Sequence, residues 1–174
     1  MKNQRLEQSL KEEVLTFIQC RKSLQLSSIT KDLKPYASYA PFAIGEDCLY
    51  ILISEIAVHA INLQVNPEAS VLIIEDENSA KELFARMRVN YSVKAEHIAF
   101  DGECWQLGVD ALVARHGERI NNLSALQDFK LFKLTPIEGR YVKGFGRAYT
   151  LTGGSLTGEL IDQLRDGHKK RQLA

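Results

Sequence analysis

Apolar positions along this chain change their period several times, and each change marks an element. Leu6, Leu10, Val14, Phe17 and Ile18 recur at helical spacing with Glu7, Lys11, Glu12 and Glu13 opposite them, which predicts an amphipathic helix over residues 3–23. From Leu24 the spacing falls to two. Residues 24–29 alternate as a strand, residues 31–35 turn the chain, and residues 36–44 and 48–54 predict two further strands around the turn Gly45-Glu46-Asp47. A short helix fits residues 56–65 and closes at Asn66-Pro67, because proline disfavours helical backbone in the residue before it. Residues 71–74 read as a buried strand, 79–84 as a brief helical excursion and 86–98 as an alternating strand. Helical spacing returns over 105–116 through Leu107, Ala111, Leu112 and Ala114, with Gly117 as the stop. Residues 128–134 and 139–151 predict the last strands, and a final helix over 156–165 precedes a polar tail.

Many short strands interrupted by a few helices predict a mainly β (α+β) protein, a closed or split β-barrel with peripheral helices. A βαβ sheet does not fit that order. No internal repeat or interdomain linker interrupts the pattern. The reading is a single domain over 1–174, with an N-terminal helix to residue 23, a barrel with inserted helices over 24–151, and a C-terminal helix and tail over 155–174.

Composition changes this picture little. A chain of 174 residues can bury about two thirds of its unfolded surface in one core. With 22 basic and 22 acidic side chains there is no net field to recruit nucleic acid or anionic lipid, so neither is expected as a partner. Cys20, Cys48 and Cys104 lack the paired spacing of a disulfide scaffold or a zinc site. No apolar run is long enough to span a bilayer, and the expected setting is a reduced cytoplasm.

Candidate chemistry concentrates in the run Pro136 to Tyr149, which holds Gly139, Gly144 and Gly146, the aromatics Tyr141, Phe145 and Tyr149, and the cations Arg140, Lys143 and Arg147. Glycine-flanked aromatics leave a flat apolar surface open to a planar ligand, and neighbouring cations suit its acidic edge. Gly167-His168 in the polar tail supplies an imidazole that could reach over as a metal ligand. On residue type alone simpler roles stay open. Arg88 could pair with the run Glu75-Asp76-Glu77 for about 1 kcal/mol or less. Asp128 could serve as a turn or cap residue, and His168 could be solvated.

Four blocks and the terminal histidine resemble one family. Ser38 to Phe42, Tyr50 to Ser54, the His59-Ala60-Ile61-Asn62-Leu63 helix and Asn66-Pro67-Glu68-Ala69-Ser70 are similar to the split-barrel pattern. Glu75 to Val89 with Arg88, Leu126 to Phe132 with Asp128, the glycine-rich run and Gly167-His168 resemble the HugZ/HutZ haem-utilisation branch of the pyridoxamine phosphate oxidase-like superfamily. The resemblance spans residues 17–168. It implies a homodimeric split β-barrel of the FMN-binding type, with haem as ligand and substrate in the cleft between protomers. By the same resemblance His168 is the axial ligand of the haem iron, and Asp128 hydrogen-bonds that histidine across the dimer interface. Arg88 anchors a propionate or faces the oxygen that attacks the ring, and Arg140, Lys143, Phe145 and Arg147 surround the porphyrin. The implied activity is oxygen- and reductant-dependent opening of haem, releasing iron and a biliverdin-like product, with an electron donor or a haem-delivery protein as partner. Two alternatives stand beside it: a non-catalytic haem storage or delivery protein, and an FMN-dependent oxidoreductase of the pyridoxamine phosphate oxidase type. The early strands lack a strong phosphate-binding arginine pair, which weakens the flavin alternative.

Overall fold

The computed structural model of the chain describes residues 2–159 and 161–164. Helix α1 (Lys2–Gln19) leads into β1 (Ser23–Ile29), β2 (Pro35–Pro41) and the two-residue β3 (Ala43–Ile44). Next come β4 (Leu49–Ser54), α2 (Val58–Val65), β5 (Glu68–Ile74), a 3-10 turn at Leu83–Ala85 and β6 (Arg88–Ile98). The chain continues through α3 (Glu103–His116), α4 (Arg119–Ser124), the long β7 (Phe129–Gly144), β8 (Arg147–Thr152) and β9 (Ile161–Leu164).

These nine strands among the described residues form one antiparallel sheet in the order β2-β1-β5-β6-β7-β4-β3, with β8 on β7 and β9 on β8. The two ends of that order, β2 and β3, are consecutive in the chain and separated only by Phe42. The sheet therefore curls until its ends meet at a backbone corner, without a ladder between them. Phe42 is fully buried there, and its amide donates to the Lys22 carbonyl at 3.2 Å. The split falls on β7. Phe129 to Leu134 pairs with β4, Glu138 to Gly144 pairs with β8 on the same edge, and β6 runs along the other edge.

Two apolar clusters hold these layers. Leu10, Val14, Phe17 and Ile18 of α1 plug the barrel interior against Tyr141, Phe132, Val89 and their neighbours. Trp105, Val109 and Leu112 of α3 cover the outer side of β4 and β7 at Tyr50, Leu52 and Leu131. Strand β4 is consequently buried on both faces, so its sequence reads as a continuous apolar run where a half-exposed strand would alternate. Among the described residues, no helix is long and apolar enough to cross a membrane.

Several boundaries differ from the sequence reading, each for an identifiable reason. The expected helix over 156–165 is absent over its described part: Leu156 to Gly158 lies in a turn and loop, and Ile161–Leu164 is a strand that covers the free edge of β8. Gly153 and Gly158, at φ 87° and 74°, bend the chain back toward that edge. The first helix ends at Gln19, short of residue 23, because Arg115 of α3 donates to the Ile18, Gln19 and Arg21 carbonyls and draws the chain into a turn. The expected break between 134 and 139 is also missing. A β-bulge opposite Ser92 and Val93 accommodates Pro136 and Ile137, so β7 runs through unbroken. The excursion at 79–84 reduces to the 3-10 turn, and the short α4 went unpredicted.

Candidate functional site

Pairing of β6 with β7 sets Arg88 opposite Val142 and Asn90 opposite Arg140. The alternate residues Val89, Tyr91 and Tyr141 are fully buried in the barrel, so Arg88, Asn90, Arg140 and Val142 occupy the outer face. Beyond Val142 the strand loses its β6 partner and turns at Phe145-Gly146, helped by positive φ at Gly144 and Gly146. That turn brings Phe145 and Arg147 beside Arg88. The 3-10 turn adds Phe84, whose amide donates to the Glu82 carboxylate at 2.9 Å. The result is a cleft of about 390 Å³ lined by Phe84, Arg88, Arg140, Val142, Phe145 and Arg147. Through Arg88, Arg140 and Val142 it continues into a depression of about 350 Å³ bordered by Ser70, Leu72 and Asn90.

Its electrostatics are one-sided. Neither lining contains a carboxylate, and among the described residues Arg88, Arg140 and Arg147 form no ion pair. Arg88 is half-buried and spends one N–H on the Arg86 carbonyl at 2.9 Å. Its neighbour Arg86 is committed, with Nε donating to the Glu75 carbonyl at 2.8 Å and Nη1 facing Glu77 at 3.4 Å. Phe84 is 89% exposed and Phe145 58% exposed, so two aromatic rings border three cations in contact with solvent. Surface of that kind marks a place meant to be covered.

Lys143 does not join this group. It points to the α1 side, where its Nζ lies 2.7 Å from Glu13 Oε2 while Tyr141 Oη donates to Glu13 Oε1 at 2.8 Å. Burial, and then the bond to Glu13, push the Tyr141 phenol far above the usual tyrosine range. Asp128 stands at the opposite end of β7, where Ser54 Oγ donates to its Oδ2 at 2.9 Å and the Glu55 amide donates to its carbonyl at 2.6 Å. Twelve positions separate it from Arg140 in sequence, or ~40 Å along an extended strand. Asp128 lines neither the cleft nor the depression that continues it. His168 lies outside the described residues.

Among the described histidines, His59 is half-buried on α2 with its pKa lowered by burial. His97 packs on Phe132 at 5.5 Å, and His116 Nε2 lies 2.8 Å from the Phe42 carbonyl. The described residues contain no cluster of three His, Cys, Asp or Glu side chains placed to hold a metal. A larger cavity of about 570 Å³ opens beside Arg21, Lys22 and Arg86, but Arg21 is already bound to Asp76 at 2.8 Å and Arg86 to the acidic loop. Sequence reasoning missed Phe84 and Asn90. Phe84 is a lone aromatic in a polar excursion, and Asn90 falls two residues after Arg88, hence on the same face.

The pyridoxamine 5'-phosphate oxidase family model matches residues 10–143. Over 172 residues the chain is 44% identical to heme oxygenase HutZ of Vibrio cholerae serotype O1, covering 98% of this chain and 96% of that protein. The chain belongs to the HutZ/HugZ family. The solved structure of HutZ from Vibrio cholerae, described as a heme storage protein, superposes with a TM-score of 0.70 at 45% identity, covering 73% of this chain and 89% of that one. ChuZ of Campylobacter jejuni gives a TM-score of 0.83 at 30% identity, over 95% of this chain and 67% of that one. The split-barrel expectation is therefore met within this HutZ/HugZ family. The two descriptions of HutZ from Vibrio cholerae point to different roles, one to oxygenation and one to storage.

Proposed function

We propose that this protein binds haem between two copies of the chain and degrades it with oxygen and a reductant. The observation that carries this reading is the cleft of three guanidiniums without carboxylate partners beside two exposed phenylalanines, in a chain of the HutZ/HugZ family. Haem is an apolar disc with two carboxylates and an iron that needs an axial donor, and the residues present suit each part. Bound haem would supply the iron at which oxygen is reduced, and the ring would open to iron and a biliverdin-like product.

The chain's own residues bind and orient. Arg88 offers a planar fork of donors that matches a carboxylate, and Arg140 and Arg147 extend the cationic edge. Phe84 and Phe145 form walls and exclude water. His168 would hold the haem iron, and Asp128 of the second copy would accept its other ring N–H, fixing the tautomer and making the imidazole a stronger donor. The Asp128 carboxylate keeps free lone pairs for that bond after accepting from Ser54. A homodimer, a cytoplasmic setting and a protein electron donor complete the proposal. Storage without turnover is the second reading, supported by the name given to the 45% identical structure. The flavin reading has less support, since residues 23–44 contain no arginine for a phosphate.

A haemin titration tests the reading. Wild type should develop a sharp Soret band at stoichiometric haemin, and H168A and R88A should each weaken it. Ascorbate under air should then bleach the band and release chelatable iron. Binding without bleaching would select storage, and H168A binding haemin as tightly as wild type would refute the ligand assignment.

A further inference from the structure

The tip of the β7–β8 hairpin is poorly supported by the sheet. Its ladder to β6 ends at Val142, and Lys143 is a bulged residue, since Val142 pairs with Ala148 while Gly144 already pairs with Arg147. Two glycines at positive φ follow within the same turn. Contacts on the other face of β7 then bear on where the turn stands. Tyr141 and Lys143, on the face away from the cleft, both reach one carboxylate: Tyr141 Oη lies 2.8 Å from Glu13 Oε1 and Lys143 Nζ 2.7 Å from Glu13 Oε2. The Tyr141 ring is itself held between Phe17 and Tyr149, with centroids 6.3 and 6.2 Å away. The ion pair is three-quarters buried on the lysine side, at 25% exposure, and 31% exposed at Glu13, so water competes with it only in part.

We infer that Glu13 of α1 is a positioning residue for the cleft: by gripping Tyr141 and Lys143 it sets where Arg140, Phe145 and Arg147 stand across the same strand. Lys143 then acts on the ligand through Glu13 and the backbone, without touching it. For its ligand this inference rests on the haem reading. The latch itself does not.

The test uses the full chain with E13Q, K143E and the reversed pair E13K/K143E, in which the phenol oxygen can accept from the introduced ammonium. Amide hydrogen exchange without haemin should show faster exchange at residues 143–147 in E13Q and K143E. In E13K/K143E it should return to the wild-type rate, with the remaining barrel amides unchanged throughout. Haemin affinity should fall about fivefold in each single variant, the size expected of a partly exposed ion pair, and recover in the reversed pair. Unchanged tip exchange in E13Q overturns the latch. If the reversed pair binds haemin as weakly as K143E, Lys143 contacts the ligand directly and the inference is also overturned. Should wild type fail to bind haemin, the functional proposal falls while the exchange arm still decides on Glu13.

Discussion

Replacing Arg115 should unfasten the first helix from the rest of the protein. Its Nη2 donates to the Ile18 carbonyl at 3.3 Å and the Gln19 carbonyl at 3.1 Å, and also to the Arg21 carbonyl. Ile18 and Gln19 end the helix, where carbonyls lack intrahelical partners and a cation is also favoured by the helix dipole, and Arg21 follows in the turn. The guanidinium also stands 4.9 Å over the Phe42 ring, at the corner where the ends of the sheet meet. A hydrogen bond from a charged donor contributes ~1.5–3 kcal/mol and the ring contact ~0.5–1 kcal/mol. Against this, Arg115 Nε is buried without a partner among the described residues, which costs ~1 kcal/mol or more. The balance predicts that Arg115→Met, which keeps most of the stem, destabilises by ~2 kcal/mol, a large share of a typical domain's ~5–15 kcal/mol. Urea unfolding followed by circular dichroism should show a lower midpoint at unchanged slope. Hydrogen exchange should report the earliest opening at residues 15–22. A midpoint equal to wild type would show that the three carbonyls are as well satisfied by water, and would refute the reasoning.

Gly139→Ala would place a methyl 2.6 Å from Tyr91 Cδ1 and 2.9 Å from the Asn90 carbonyl, with Tyr91 fully buried and unable to give way. A loss of ~1–3 kcal/mol in chemical denaturation is expected, and a neutral result would mean that β6 and β7 can separate locally. Burial lowers the pKa of His59 from the ordinary imidazole value of 6.5, so the unfolded chain takes up its proton first as pH falls. Stability should therefore decline as pH drops below 6.5, down to the folded-state pKa, and His59→Gln should remove that part of the slope in denaturation curves. Under the composite-site proposal, R88A and D128A chains mixed by refolding should recover haemin turnover that neither has alone. Random pairing makes about half the dimers mixed, each with one intact site, so recovery should reach about a quarter of wild type.

What could be read from the sequence followed the distance over which each signal acts. The helix period of α1 and the alternation of β1 and β6 are local, and the structure reproduces them. The end of α1 was not legible, because a side chain 96 positions away caps it. Pro136 looked like a strand break, since the sequence does not reveal the bulge that carries β7 past it. Leu156, Leu160 and Leu164 recur at a helical interval, yet the unpaired edge of β8 and two glycines at positive φ outweigh that spacing. At the site, residue type was legible and direction was not. Arg140, Lys143 and Arg147 read as one cationic group, but strand alternation and the bulge send Lys143 to the opposite side, where Glu13 waits.

β7 acts as a ruler for whatever this protein does. Paired along both edges, it holds the Ser54–Asp128 end and the arginine cleft at opposite ends, up to ~40 Å apart along the strand. Under the proposed dimer, a function that needs both ends would draw them from different copies. A twofold axis does this without further devices: if the cleft of one protomer meets the Asp128 end of its partner, the same rotation brings the partner's cleft to the first protomer's Asp128. Two equivalent sites arise from one contact, and each residue is used once. Under the proposed dimer the same symmetry would also account for the exposed aromatics and cations of the cleft, since the surface that completes it would lie on the second copy.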